Sequence, residues 1–126
     1  MQALRCAVVG VGYLGKFHAQ KYAALPGCEL VAVVDSNSVQ AEAVAAANHT
    51  RALSDYRELL GQVDAVSIVV PTSLHFQVAR DFLAAGAHVL VEKPITVTVE
   101  EADELISLAR ASHYYLCGKR RQSSRN

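Results

Sequence analysis

Three features of this 126-residue sequence predict an α/β fold on a doubly wound parallel sheet. First, short, continuous, valine-rich runs recur at Cys6–Val9, Leu30–Val34, Ala65–Val70 and Val89–Val91. Apart from Ser67 they show no polar alternation, the pattern of parallel strands covered on both faces. Second, segments with helical apolar stripes separate the runs. Third, Gly10, Gly12 and Gly15 form a G-x-G-x-x-G between the first run and the first helical segment, the turn that opens a dinucleotide-binding β-α-β unit. With right-handed crossovers, the expected architecture is a Rossmann fold of about six strands in order 3-2-1-4-5-6.

The helical segments carry their own start and stop signals. Tyr13–Leu25 runs out at Pro26-Gly27, Ser38–Ala47 is alanine-rich, and Ser73–Ala85 closes on Gly86. Asp55–Leu60 is expected as a short helix, because Glu58 stands in capping-box spacing from Asp55 and Gly61 follows as a stop. Val99–Ser112 follows Thr98, with Glu101 in the same spacing. Its early acids, Glu100, Glu101, Asp103 and Glu104, sit where the helix dipole favours negative charge. A short strand at Thr50–Leu53 and a last one at Tyr114–Cys117 complete the count. With no internal repeat or linker, residues 1–118 are expected to form one dinucleotide-binding domain. Residues 119–126 are expected to be a basic, disordered tail.

Composition narrows the function classes. Apolar residues make up 52% of the chain, which fits a sheet buried on both faces. Net charge is zero overall, but residues 1–118 hold 8 basic and 12 acidic groups, a net charge of −4. Such a body argues against a nucleic-acid surface. Cys6, Cys28 and Cys117 are scattered and contain no C-x-x-C. Neither disulfides nor a metal site is expected, and a reducing, cytoplasmic setting is. No apolar run approaches ~20 residues and no secretory leader pattern opens the chain, so no membrane partner is expected.

In a doubly wound sheet, ligands gather beyond the carboxyl ends of the strands. Gly10 would make the tight turn, Gly12 would let the backbone approach a pyrophosphate, and Gly15 would let the helix pack close. The N–H groups of Tyr13 and Leu14 would face the phosphates at the helix N-terminus. Asp35 ends the second run, 20 residues after Gly15. Its carboxylate could accept bonds from the adenosine ribose hydroxyls and would repel a 2′-phosphate. Ser36 and Asn37 are neutral and no basic residue follows closely, so NAD is expected rather than NADP. A helix N-cap or loop acid is the other reading of Asp35. Pro71 stops the fourth strand because it has no N–H to donate, and Thr72 or Ser73 can cap the next helix. His75 either lines the nicotinamide pocket or packs on the first turn of that helix. Glu92-Lys93-Pro94 follows the fifth run. Lys93 could bond a substrate hydroxyl and support proton transfer, aimed by Pro94, or it could be solvated and paired with Glu92. His18, His49, His88 and His113 lack metal-ligand spacing and read as surface or packing residues.

Taken in order, Gly-Val-Gly-Tyr-Leu-Gly at 10–15, Val-Val-Asp at 33–35, Pro-Thr-Ser-Leu-His at 71–75 and Glu-Lys-Pro at 92–94 resemble the cofactor domain of the Gfo/Idh/MocA oxidoreductases. The resemblance covers residues 1 to about 118. It implies an NAD-dependent oxidoreductase that exchanges hydride with a hydroxyl or keto carbon of a sugar, nucleotide sugar or cyclitol. It implies Lys93 as the active-site lysine and Gly10, Gly12, Gly15 and Asp35 as cofactor contacts. Pro71, Thr72, His75, Glu92 and Pro94 would form the cofactor-side lining. Family members continue into an α/β substrate domain that usually also forms the oligomer interface. Here Gly118 is followed by the basic tail instead of an Arg-Phe-Asn-Pro-like segment. The 126-residue chain is therefore expected to bind NAD(H) with poor or no turnover. The alternative is a non-catalytic NAD-binding sensor, or a subunit completed by another chain, with homo-oligomerisation through apolar surface.

Overall fold

The computed structural model of the chain describes residues 3–92, 98–112 and 116–119. The strands are β1 (Leu4–Val9), β2 (Cys28–Val34), β3 (Arg51–Leu53), β4 (Ala65–Ile68), β5 (His88–Glu92) and β6 (Leu116–Lys119). All pair in parallel in one sheet, in the order β3-β2-β1-β4-β5-β6. The connecting helices are α1 (Tyr13–Ala24), α2 (Ser38–Ala47), α3 (His75–Ala84) and α4 (Val99–Ser112).

The continuous apolar runs are explained by two cores, one on each face. On the first, Ala19 of α1 and Ala41, Val44 and Ala45 of α2 pack with Val8, Leu30 and Val33. On the second, Val78, Phe82 and Leu83 of α3 and Leu105 and Ala109 of α4 pack with Ala7, Val9, Ile68 and Val89. Neighbouring residues such as Val8 and Val9 thus serve opposite cores, which leaves no face for polar alternation. Ser67 is tolerated in the middle because its hydroxyl meets that of Tyr22 at 2.6 Å. The β1–β2 ladder slips once: Cys6 pairs with Leu30 but Ala7 with Ala32, so Val31 is an extra residue in a bulge.

Several expectations on element boundaries are corrected. Residues 55–60 do not form an α-helix; Tyr56–Leu59 make a single 3-10 turn. The Asp55 carboxylate accepts the Arg57 N–H at 2.9 Å, and the Glu58 N–H goes to the Asp55 carbonyl at 3.2 Å. That i→i+3 pattern is the tighter helix, and four residues are too few to propagate an α-helix. β4 ends at Ile68, two residues earlier than expected, and α3 begins at His75 after a 3-10 turn at Thr72–Leu74. The Val69 N–H makes a further bond to the Val9 carbonyl at 2.8 Å, and the Pro71 carbonyl then accepts the Leu74 N–H at 2.9 Å, closing that turn. The last strand, expected at Tyr114–Cys117, is described over Leu116–Lys119, so Lys119, expected as the first residue of the tail, pairs with Glu92 in β6. Tyr114 and the tail residues 120–126 lie outside the described residues. The Thr98 cap holds, with its hydroxyl accepting the Glu101 N–H at 3.1 Å. No helix among the described residues is long and apolar enough to cross a membrane.

Candidate dinucleotide site

The three glycines of the first turn do different work. Gly10 has φ +95°, and a Cβ there would stand 2.5 Å from the Val69 carbonyl oxygen. A Cβ on Gly15 would stand 1.8 Å from the Gly10 carbonyl oxygen. Both glycines are therefore demanded by the protein's own packing. Gly12 is not: a Cβ at that position meets nothing within 4 Å. Gly12 lines a cleft above the sheet and is the N-cap of α1, with no side-chain capping bond. The first amides of a helix have no intrahelical acceptor, and at α1 these are the amides of Tyr13 and Leu14, with no capping side chain from Gly12. A glycine that the protein does not need, at an uncapped helix N-terminus in a cleft, fits a ligand whose phosphates approach the backbone closely.

Asp35 is bound into this turn. Its Oδ2 accepts the Val11 N–H at 3.0 Å, and its Oδ1 accepts the Asn37 N–H at 2.9 Å. Gln40 Nε2 donates to the Val11 carbonyl at 3.0 Å, so side chains hold both polar groups of Val11. The cap of α2 is Asn37, which accepts the Gln40 N–H at 3.1 Å. The bulge at Val31 sets the register that makes this possible. It brings the Val34 carbonyl to 2.7 Å from the Gly10 N–H and places Asp35 beside the glycine turn.

The cleft has a volume of about 710 Å³ and lies beyond the carboxyl ends of β1–β4. Gly10, Gly12 and Asp35 line one side, Asp55 and Arg57 the segment after β3, and Pro71 and Leu74 the segment after β4. Leu74 is 47% exposed and gives the cleft an apolar wall. Arg57 grips Asp55 with a fork, Nε to Oδ1 at 3.0 Å and Nη2 to Oδ2 at 3.1 Å. This side-chain bond, joined by the Arg57 backbone N–H, holds the Asp55 carboxyl below its usual range. Tyr56, also on the wall, donates its phenol to Asp81 Oδ2 at 2.6 Å. Burial first, and then that acceptor, push its pKa up to about 12, so at neutral pH it is a fixed hydroxyl and not a base.

His75 stands behind the wall. It is 4% exposed, and its Nε2 lies 2.9 Å from the Val70 carbonyl. Val70 lines the cleft and His75 does not, so the imidazole bears on the site through the backbone it holds. Thr72 opens the 3-10 turn after Pro71 and Glu92 is the last residue of β5. Lys93 and Pro94 lie outside the described residues. Ser54, Asp55 and Arg57 belong to the cleft as well, though no motif near Asp35 announces them. The signal was present, because these three follow a strand at the ligand edge of the sheet.

The sheet order, the glycine turn and the acid after β2 define a dinucleotide-binding Rossmann domain. Residues 4–117 match the Gfo/Idh/MocA family, described as an oxidoreductase family with an NAD-binding Rossmann fold, and the chain belongs to that family. It is 51% identical over 113 residues to UDP-N-acetylglucosamine 3-dehydrogenase of Acidithiobacillus ferrooxidans, covering 90% of this chain and 36% of the relative. The solved structure of that enzyme, GnnA, superposes with a TM-score of 0.87 at 50% identity over 94% of this chain and 37% of its own. scyllo-Inositol 2-dehydrogenase (NAD(+)) of Bacillus subtilis is 40% identical over 103 residues, 79% of this chain and 30% of the relative. GenD2 from gentamicin A biosynthesis, solved in complex with NAD, has a TM-score of 0.89 at 30% identity over 94% of this chain and 35% of its own. The chain thus spans about a third of the length of these relatives.

Proposed function

We propose that this chain is the NAD(H)-binding part of an oxidoreductase that moves hydride between the cofactor and a hydroxyl or keto carbon of a sugar, nucleotide sugar or cyclitol. Gly12 carries the cofactor reading, as a glycine with open space where its Cβ would be, at the uncapped start of α1. The substrate class rests on the activities named for the relatives, which act on a UDP-sugar and on an inositol. A bound nicotinamide would supply the carbon that accepts or gives the hydride.

The chain's own residues bind and orient. The amides of Tyr13 and Leu14 hold the pyrophosphate. Asp35 has two of its roughly four lone-pair sites taken by backbone N–H groups, and the rest accept the adenosine ribose hydroxyls. That preference excludes a 2′-phosphate, so NAD is favoured over NADP. Pro71, Thr72, Glu92 and Pro94 shape the cofactor side of the pocket, and His75 fixes the Val70 carbonyl beneath it. Lys93, next after β5, bonds the substrate hydroxyl and takes or gives its proton. Residues 1–118 form the cofactor unit. Residues 1–126 alone turn over slowly, because positioning the substrate depends on parts of the relatives that this third does not match.

Calorimetric titration with NADH and NADPH tests the reading on wild type and Asp35→Ala. Wild type is expected to bind NADH more tightly, and Asp35→Ala to weaken NADH by about tenfold, the worth of a lost charge-assisted hydrogen bond. Binding of neither nucleotide would overturn the cofactor assignment. A wild-type preference for NADPH would overturn the role given to Asp35. Sugar or cyclitol oxidation by the 126-residue chain at the rate of a full-length relative would overturn the slow turnover.

A further inference from the structure

Asp35 is not alone at the adenosine end of the cleft. The β2–β3 register ends with Val34 opposite Leu53, and the Asp35 N–H bonds the Leu53 carbonyl at 3.1 Å. The chain just beyond β3 therefore runs beside Asp35, and Ser54, Asp55 and Arg57 line the same cleft. Among the described residues lining it, Arg57 is the one with a permanent positive charge. A guanidinium fork matches a phosphate as well as it matches a carboxylate. Here Asp55 occupies the fork through both of its oxygens. The pair is exposed, 65% for Arg57 and 41% for Asp55, and a pair so exposed is weak enough to be exchanged.

We propose that Asp55 is a cofactor-specificity residue: by filling the fork of Arg57 it denies a 2′-phosphate the one guanidinium among the described residues of the cleft lining, so the exclusion of NADP rests on Asp55 as well as on Asp35. This deepens the NAD reading above and rests on it. A 2′-phosphate entering the cleft would face the Asp35 carboxylate and would have to displace the Asp55 carboxylate from Arg57. Asparagine at position 55 keeps an oxygen for the Arg57 backbone N–H, so the 3-10 turn persists. It removes the charge that holds the guanidinium, leaving the fork free to turn to a phosphate.

The test titrates NADH and NADPH into the full chain as wild type, D55N, D55N/R57Q and E58Q, and compares the ratio of the two Kd values. The ratio of NADPH to NADH Kd is expected to fall about tenfold in D55N, the scale of one charged contact in a solvated cleft. The gain is expected to vanish in D55N/R57Q. Glu58 carries the same charge on the same turn outside the cleft lining, so E58Q should leave the ratio within about twofold, as remote surface charge does. An unmoved ratio in D55N with NADH still bound overturns this inference alone. So does a gain that survives the loss of Arg57, or one matched by E58Q. No NADH binding by wild type overturns the cofactor site and this inference with it. If D55N does not fold, Asp55→Ser retains the cap and gives the same readout.

Discussion

A single missing Cβ separates binding from folding at the glycine turn. Gly12→Ala meets no protein atom within 4 Å, so it should cost less than about 1 kcal/mol of stability, yet weaken NADH more than about tenfold by blocking the close approach of a phosphate. Gly15→Ala should do the reverse in order of cause. Its Cβ would overlap the Gly10 carbonyl at 1.8 Å, and moving that backbone should cost about 3 kcal/mol. Urea unfolding and NADH titration on the two variants separate the cases. If Gly12→Ala binds NADH like wild type, the position has no ligand to accommodate. His75 belongs to the same scale: its buried imidazole lies 2.9 Å from the carbonyl of Val70, a residue of the cleft wall.

Among the elements, the junction of β1 with α1 depends on α2, which the sequence places 23 residues after Gly15. Gln40 reaches back from the first turn of α2 to the Val11 carbonyl, while Asp35 holds the Val11 N–H. The turn that would cradle the pyrophosphate is thus fixed from outside itself, and fixing a loop in its bound form raises affinity by lowering the ordering cost. Gln40→Leu should leave the Asn37 cap of α2 in place and weaken NADH by about threefold to tenfold, the worth of one neutral hydrogen bond. Adenosine, which lacks the pyrophosphate, should bind Gln40→Leu and wild type alike. Equal losses for NADH and adenosine would show that Gln40 supports the whole cleft and not the glycine turn.

At the scale of the whole molecule, an ion pair ties β1 to the start of β4 at the end of the sheet opposite the cleft. Arg5 near the start of β1 meets Asp64 just before β4, with its backbone N–H at 2.8 Å from Oδ2 and Nη2 at 3.1 Å from Oδ1. The Asp64 carbonyl also accepts the His88 N–H at 2.9 Å, which ties in β5. The Arg5 side chain, with its backbone N–H, holds the Asp64 carboxyl below its usual range. A carboxyl whose folded pKa is depressed adds stability that is complete above its unfolded value, near 3.9, and is lost as pH falls through the folded value. Stability should therefore decline less steeply below about pH 4 in Asp64→Asn than in wild type, with Asp55 contributing in the same direction. Urea titrations from pH 6 down to about 2 measure the slopes, and parallel slopes would remove Asp64 from the acid response.

Much of this was legible along the chain because its causes are local. Valine runs without alternation announce strands buried on both faces, glycine and proline mark the turns, and G-x-G-x-x-G followed by Asp35 announces the nucleotide edge. Strand order, the two-sided core and most helices followed from those cues. The short helix at 55–60 failed because spacing alone cannot tell a capping box from a carboxylate bonded two residues on. The contents of the cleft depended on contacts between segments far apart in sequence. The extra residue at Val31 sets where Asp35 lies against the glycine turn, and no feature of Leu30–Val34 marks it. Pairing of β2 with β3 brings Arg57 and Asp55 alongside Asp35, 20 and more residues away in the chain. Local periodicity and turn chemistry were enough to say that this protein folds around a dinucleotide turn. Which charges share the cleft with Asp35 was decided only by strand register, since register arises from the packing of the whole sheet.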